Sequence, residues 1–123
     1  MKESIIKNKS IEFAMKIIDL YKLLRAENEY VLSKQILKSG TSIGANVSEA
    51  LAGHSKKDFA HKMNIALKEA METLYWLELI EHYGIKQDKL LNELKNDNTE
   101  LSKILTSIIK TTQTNLKKLK TKN

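Results

Sequence analysis

Between Ser39 and Gly53 the chain reads SGTSIGANVSEALAG, a stretch whose one charge is Glu49 and in which Gly40 and Gly44 stand four residues apart. The apolar spacing is helical, and both glycines share a face with Ile36, Val47 and Leu51. Each glycine costs about 1 kcal/mol relative to alanine inside a helix, so a helix that keeps two must gain something back. Close approach of another backbone to a surface without side chains is the expected gain. The opposite flank (Thr41, Ala45, Ser48 and Ala52) is small and uncharged as well. This helix is therefore expected to be covered on more than one side, and the segment speaks to assembly more than to chemistry.

The remaining composition fits that frame. A chain of 123 residues makes one domain, with enough length for a real core. It has no proline, four glycines and no cysteine, which favours long helices and excludes disulfides, thiolate zinc sites and thiol catalysis. The N-terminus lacks the apolar run of a secretory signal, and no stretch reaches the ~20 apolar residues needed to span a bilayer. A cytoplasmic protein without membrane contact is expected.

Four amphipathic segments follow from the spacing. The first covers about Lys9 to Glu27 on a stripe of Phe13, Ile17, Leu20, Tyr21 and Leu24, with Ile6 as an optional extension. The second runs from Tyr30 to Ala52 and closes at Gly53. Ser55-Lys56-Lys57-Asp58 resembles a capping box and opens a third, which Gly84 stops after Tyr83. Its stripe is Phe59, Met63, Ala66, Leu67, Ala70, Leu74 and Leu77. The fourth runs from about Gln87 toward Lys118, interrupted by the polar run Asn96-Asp97-Asn98-Thr99, where a kink or a fresh cap is expected. Short connections imply an all-α, up-down-up-down antiparallel four-helix bundle, one domain over 1–123 with 117–123 a frayed basic tail.

Two surfaces are left over once the core is assigned. Ile65, Trp76 and Leu79 lie away from the third stripe among Asp58, Glu69 and Glu72. Together with Gly40, Gly44, Ala45, Ser48 and Ala52 they are the expected packing and assembly residues, because aromatic residues are enriched at subunit interfaces. The second surface is charged. The net charge is +6, and from Lys110 onward there are five lysines (110, 117, 118, 120 and 122) and no acid. Such a basic tail is an electrostatic footprint for nucleic acid, although lysines also suit a helix C-terminus by dipole alone.

Catalytic constellations are missing. A bundle di-iron site wants two Glu-x-x-His pairs and two more glutamates, whereas the chain offers one Asp58-x-x-His61 off the core stripe, with His54 and His82 at opposite ends of the third helix. Gly40-x-x-x-Gly44 lies within a helix and is a packing signal, since a phosphate loop needs a different glycine pattern. Every serine is accounted for as a cap, a turn or a small packing residue. Glu49, with Asn46 one turn before it, is expected to point outward, either to solvent or to a lysine or capping group of a neighbouring subunit. No enzymatic activity, metal, cofactor or small-molecule substrate is expected.

Ser33-Lys34-Gln35, the run from Leu37 to Val47, and Glu49-Ala50 resemble the signature of the four-helix-bundle family of ribosomal-RNA intervening-sequence proteins. The similarity continues through Ser55 to Phe59, Ile65 to Ala70, Glu72-Thr73, Tyr75-Trp76-Leu77 and Leu105 to Lys110. What the resemblance implies is a small bacterial bundle that assembles into a ring, typically a homopentamer, encoded within large-subunit ribosomal RNA genes and at other loci. A related branch serves diversity-generating retroelements as an accessory subunit that binds nucleic acid and a reverse transcriptase. Two functions thus compete. One is a non-enzymatic self-assembling module; the alternative is a nucleic-acid-binding accessory protein whose lysine tails form a basic rim on the oligomer.

Overall fold

A computed structural model describes the backbone of residues 2–83 and 87–122, and side chains from 3 to 120 within those spans. Four helices account for nearly all of it: α1 (Lys2–Ala26), α2 (Val31–Ala52), α3 (Lys56–His82) and α4 (Asp88–Lys122). No strand occurs among the described residues. Each helix packs on the next, and α4 closes the circuit on α1, so α1 and α3 stand diagonally across the core, as do α2 and α4.

The core is built largely from the expected stripes, with Ile43, Ile80 and Leu91 buried outside them. Phe13, Ile17, Leu20 and Leu24 of α1 meet Ile36, Ile43 and Val47 of α2, Met63, Leu77 and Ile80 of α3, and Leu91, Leu94, Leu101 and Leu105 of α4. α1 begins at Lys2, a full two turns before Lys9, because Ile6 is fully buried and gives those turns a core contact. The buried face of α3 is rotated from the expected stripe. Ala60, Thr73 and Ile80 are buried, whereas Phe59, Leu67 and Leu74 lie half-buried at its edge. Thr73 is tolerated inside because its hydroxyl donates to the Glu69 carbonyl at 2.7 Å.

The expected break at Asn96–Thr99 is absent, and α4 is one helix of 35 residues, about 52 Å at 1.5 Å per residue. Two of the four polar residues have partners across the bundle. Asn98 is buried and donates from Nδ2 to the Ala70 carbonyl at 3.1 Å, while Asp97 pairs with Lys16 of α1 at 2.7 Å. The tail expected to fray also continues as helix to Lys122.

The turns use specific devices. Asn28 takes φ 64°, the left-handed conformation that asparagine tolerates better than most residues. The Glu29 carboxylate then accepts from the amides of Val31 and Leu32 at 2.9 and 2.8 Å and so caps α2. At the next turn Ser55 caps α3, its hydroxyl accepting from the Asp58 amide at 3.0 Å. Gly53 is extended at φ −68° and so is not a left-handed helix stop; a side chain there would collide with the Asp58 carboxylate. α3 ends at His82 with Tyr83 as its cap, and Gly84, the expected stop, lies outside the described residues.

Candidate functional site: two apolar faces and a basic arm

The glycines of α2 do bring a neighbour close, and that neighbour is α1 of the same chain. A Cβ at Gly40 would lie 2.7 Å from Ile17 Cγ1, and one at Gly44 would lie 3.2 Å from Ser10 Oγ and 3.4 Å from the Ser10 carbonyl. Both glycines are buried. Their role is packing within one copy, and they offer nothing to a second. The small flank behaves differently, with Ala45, Ser48 and Ala52 exposed and Thr41 half-buried. Within one copy, then, α2 is covered by α1 and α3 and open on this third side. Glu49, considered for a partner in a neighbouring subunit, pairs instead with Lys62 of α3 at 3.1 Å.

Ile65, Trp76 and Leu79 are half-buried, and Trp76 packs against the core while its Nε1 donates to Glu72 at 3.3 Å. The larger exposed apolar side chains lie elsewhere. On α1, Ile11, Met15 and Ile18 are 46%, 61% and 38% exposed. Their i, i+4, i+7 spacing makes one stripe on the side opposite the Phe13–Leu24 core face. On α3, Met71 and Tyr75 are 66% and 56% exposed, one turn apart, and Tyr75 meets Trp76 edge-on with ring centroids 5.0 Å apart. Neither face is among the expected assembly residues. The α1 stripe is legible at helical spacing as a second apolar face, opposite the core stripe.

Charge is arranged along the seams. Lys16 lies 2.7 Å from both Asp97 and Glu93, and Lys9 lies 2.7 Å from Glu100, so the α1–α4 seam is closed by ion pairs. The hydrogen bond to Asp97, with that to Glu93, raises the Lys16 ammonium above the ordinary lysine range, and the Lys16 bond in turn lowers the Glu93 carboxyl. Glu69 is shifted the other way: burial raises its carboxyl, helped by the neighbouring Glu72. Ser39 is fully buried, and its hydroxyl has no hydrogen-bond partner among the described residues.

The basic arm is the last part of α4. Ile109 is the final buried residue; beyond it Thr112 and Leu116 are half-buried, and Leu119 is exposed. Lys110, Lys117, Lys118 and Lys120 are all exposed on this helix, and the side chain of Lys122 lies outside the described residues. A shallow depression of about 390 Å³ opens at its base, lined in part by His54, Ser55, Phe59 and Thr112. His54, His61 and His82 are exposed, and no group of three or more metal-ligating side chains converges among the described residues. No described helix is long and apolar enough to cross a membrane.

The comparisons with known proteins agree with this architecture. The family model for the 23S rRNA-intervening sequence protein matches residues 2–107. A solved structure of a protein of unknown function from the S23 ribosomal protein family of Bacteroides thetaiotaomicron is 52% identical, covers 89% of this chain and 99% of its own, and superposes with a TM-score of 0.85. No curated protein matches the chain. The family match ends close to Ile109, so the arm lies outside the matched span. With four helices in sequential contact and a match over residues 2–107, the chain belongs to the 23S rRNA-intervening sequence protein family.

Proposed function

We propose that this protein is a non-enzymatic, self-assembling module, an up-down-up-down bundle whose copies associate through their sides into a ring. Support for the antiparallel arrangement comes from the seams. Gly40 meets Ile17 and Gly44 meets Ser10, Glu49 meets Lys62 while Lys38 acts on Glu69, and Glu81 meets Lys95 while Ala70 meets Asn98. Rising numbers on one helix meet falling numbers on the next in each case. Five copies is the ring size that the family resemblance implies, and a cytoplasmic site of action goes with that reading.

The observation that carries self-assembly is the outward stripe of Ile11, Met15 and Ile18. Covering apolar area is worth about 25 cal/mol per Å², and exposed apolar patches rimmed by polar residues mark interaction sites when they exceed a few hundred Å². Light scattering of the purified protein tests it. A mass several times the 14.1 kDa of one chain is expected, and 14.1 kDa at micromolar concentration contradicts the proposal.

A second reading, nucleic-acid binding, rests on the exposed lysines of the arm. Five tails together present about twenty-five lysines, and phosphate binding scales with the number of charges engaged. RNA or DNA should then bind with a steep dependence on salt. Truncation after Ile109 should abolish that binding and leave the oligomer intact. Absence of any salt-dependent shift at low ionic strength removes this reading.

A further inference from the structure

Large exposed apolar side chains away from the helix ends concentrate on α1 and α3, the two helices that stand diagonally across the core. One copy therefore carries two separate apolar faces on opposite sides: Ile11, Met15 and Ile18 on α1, Met71 and Tyr75 on α3. A contact that pairs like with like would bury one face and leave the other in water. A contact that pairs unlike faces buries both, and such a heterologous contact builds a ring where its rotation closes and an open array where it does not.

The two faces also stand at nearly one height along the bundle. By way of α4, Lys16 is tied to Asp97 at 2.7 Å, and the adjacent Asn98 is tied to the Ala70 carbonyl at 3.1 Å. By way of α2, Ile17 lies against Gly40, and the nearby Lys38 acts electrostatically on Glu69. The route through α4 sets residue 16 level with residue 71 of α3 and the route through α2 sets it level with residue 66, so the two bracket residues 69 and 70 within one turn. Ile18 is thus level with Met71 and Met15 stands about one turn below it, and a rotation about an axis parallel to the helices brings the faces together with little sliding of one copy past the other.

Charge favours the same match. Lys22 continues the α1 stripe by one turn and, on that register, stands level with Tyr75, less than one turn from Glu78 on the same helix. Lys22 and Glu78 are exposed, and neither has an ion pair among the described residues. An upright two-fold pairing of α1 with α1 would instead set Lys22 against Lys22, a like-charge contact that disfavours the wrong partner.

We infer that the partner of the Ile11–Met15–Ile18 face is the Met71–Tyr75 face of a second copy, so that copies join head to tail through α1 and α3. This rests on the self-assembly reading and goes beyond it by assigning the two surfaces. Since the chain has no cysteine, introduced thiols report the contact without background. Met15→Cys, Met71→Cys and the double variant are treated with a short bis-maleimide and run on denaturing gels, after melting curves establish that each folds like the parent. The double variant should give a ladder of covalent dimers, trimers and higher species. Each single variant alone should stay at the mass of one chain, and a mixture of the two singles should stop at dimers. A dimer from Met15→Cys alone, or no ladder from the double variant, overturns the face assignment. If light scattering still gives a multiple of 14.1 kDa in that case, self-assembly stands and only the assignment falls; if it gives 14.1 kDa, both fall.

Discussion

A methyl group added at Gly40 would lie within 2.9 Å of three carbons of Ile17, a buried and branched side chain with little room to yield. The same addition at Gly44 meets its nearest atom, the Ser10 hydroxyl oxygen, at 3.2 Å. Alanine gains about 1 kcal/mol of helix propensity at either site, against an overpacking cost of about 1–3 kcal/mol where atoms must move. Gly40→Ala should therefore lower the melting temperature, and Gly44→Ala should lie close to neutral. Equal effects from the two would contradict this account of the α1–α2 seam. Glu69 supplies a pH signature at the same scale. Burial raises its pKa above the unfolded value, so the native state holds the proton more tightly. Stability from this group is then greatest at low pH and declines as pH rises through the window above the ordinary carboxylate value of about 4.3. Glu69→Gln should stabilise the protein at pH 7, by less than about 1 kcal/mol for a partly exposed group, and the gain should vanish in melts at pH 3.

At the scale of elements, α4 holds the plainest lesson about what sequence patterns carry. Read by type, Asn96-Asp97-Asn98-Thr99 looks like a break, because these residues favour caps and turns when their side chains bond locally. In the folded chain Asp97 and Asn98 are engaged by Lys16 and Ala70 of other helices, which no periodicity could reveal. Tertiary contacts outweigh local preference there. Amide hydrogen exchange should show Asn96–Thr99 as slow as the flanking turns that carry Leu94 and Leu101; a fast window at those four residues would contradict an unbroken helix. Other elements were legible. The Ser55 cap, the start of α3 behind it and the packing glycines of α2 follow directly from residue type and spacing. Trp76 lies partly over the core at the margin of its stripe, and Met71 and Tyr75 are the more exposed side chains near it.

For the whole molecule, the described surface divides by chemistry. Ion pairs close the α1–α4 seam, lysines crowd the arm, and apolar side chains face outward from the two diagonal helices. The family match covers residues 2–107, so both apolar faces lie within the matched span and most of the arm lies beyond it. The apolar faces and the lysine arm thus occupy separate parts of the molecule and can be altered separately. The most direct test is sedimentation equilibrium of the parent protein beside Met15→Glu, a change at a side chain 61% exposed that leaves the core untouched. The parent should sediment as a multiple of 14.1 kDa, and Met15→Glu should fall to that single-chain mass with its helical content unchanged. Identical masses for the two proteins would contradict assembly through α1.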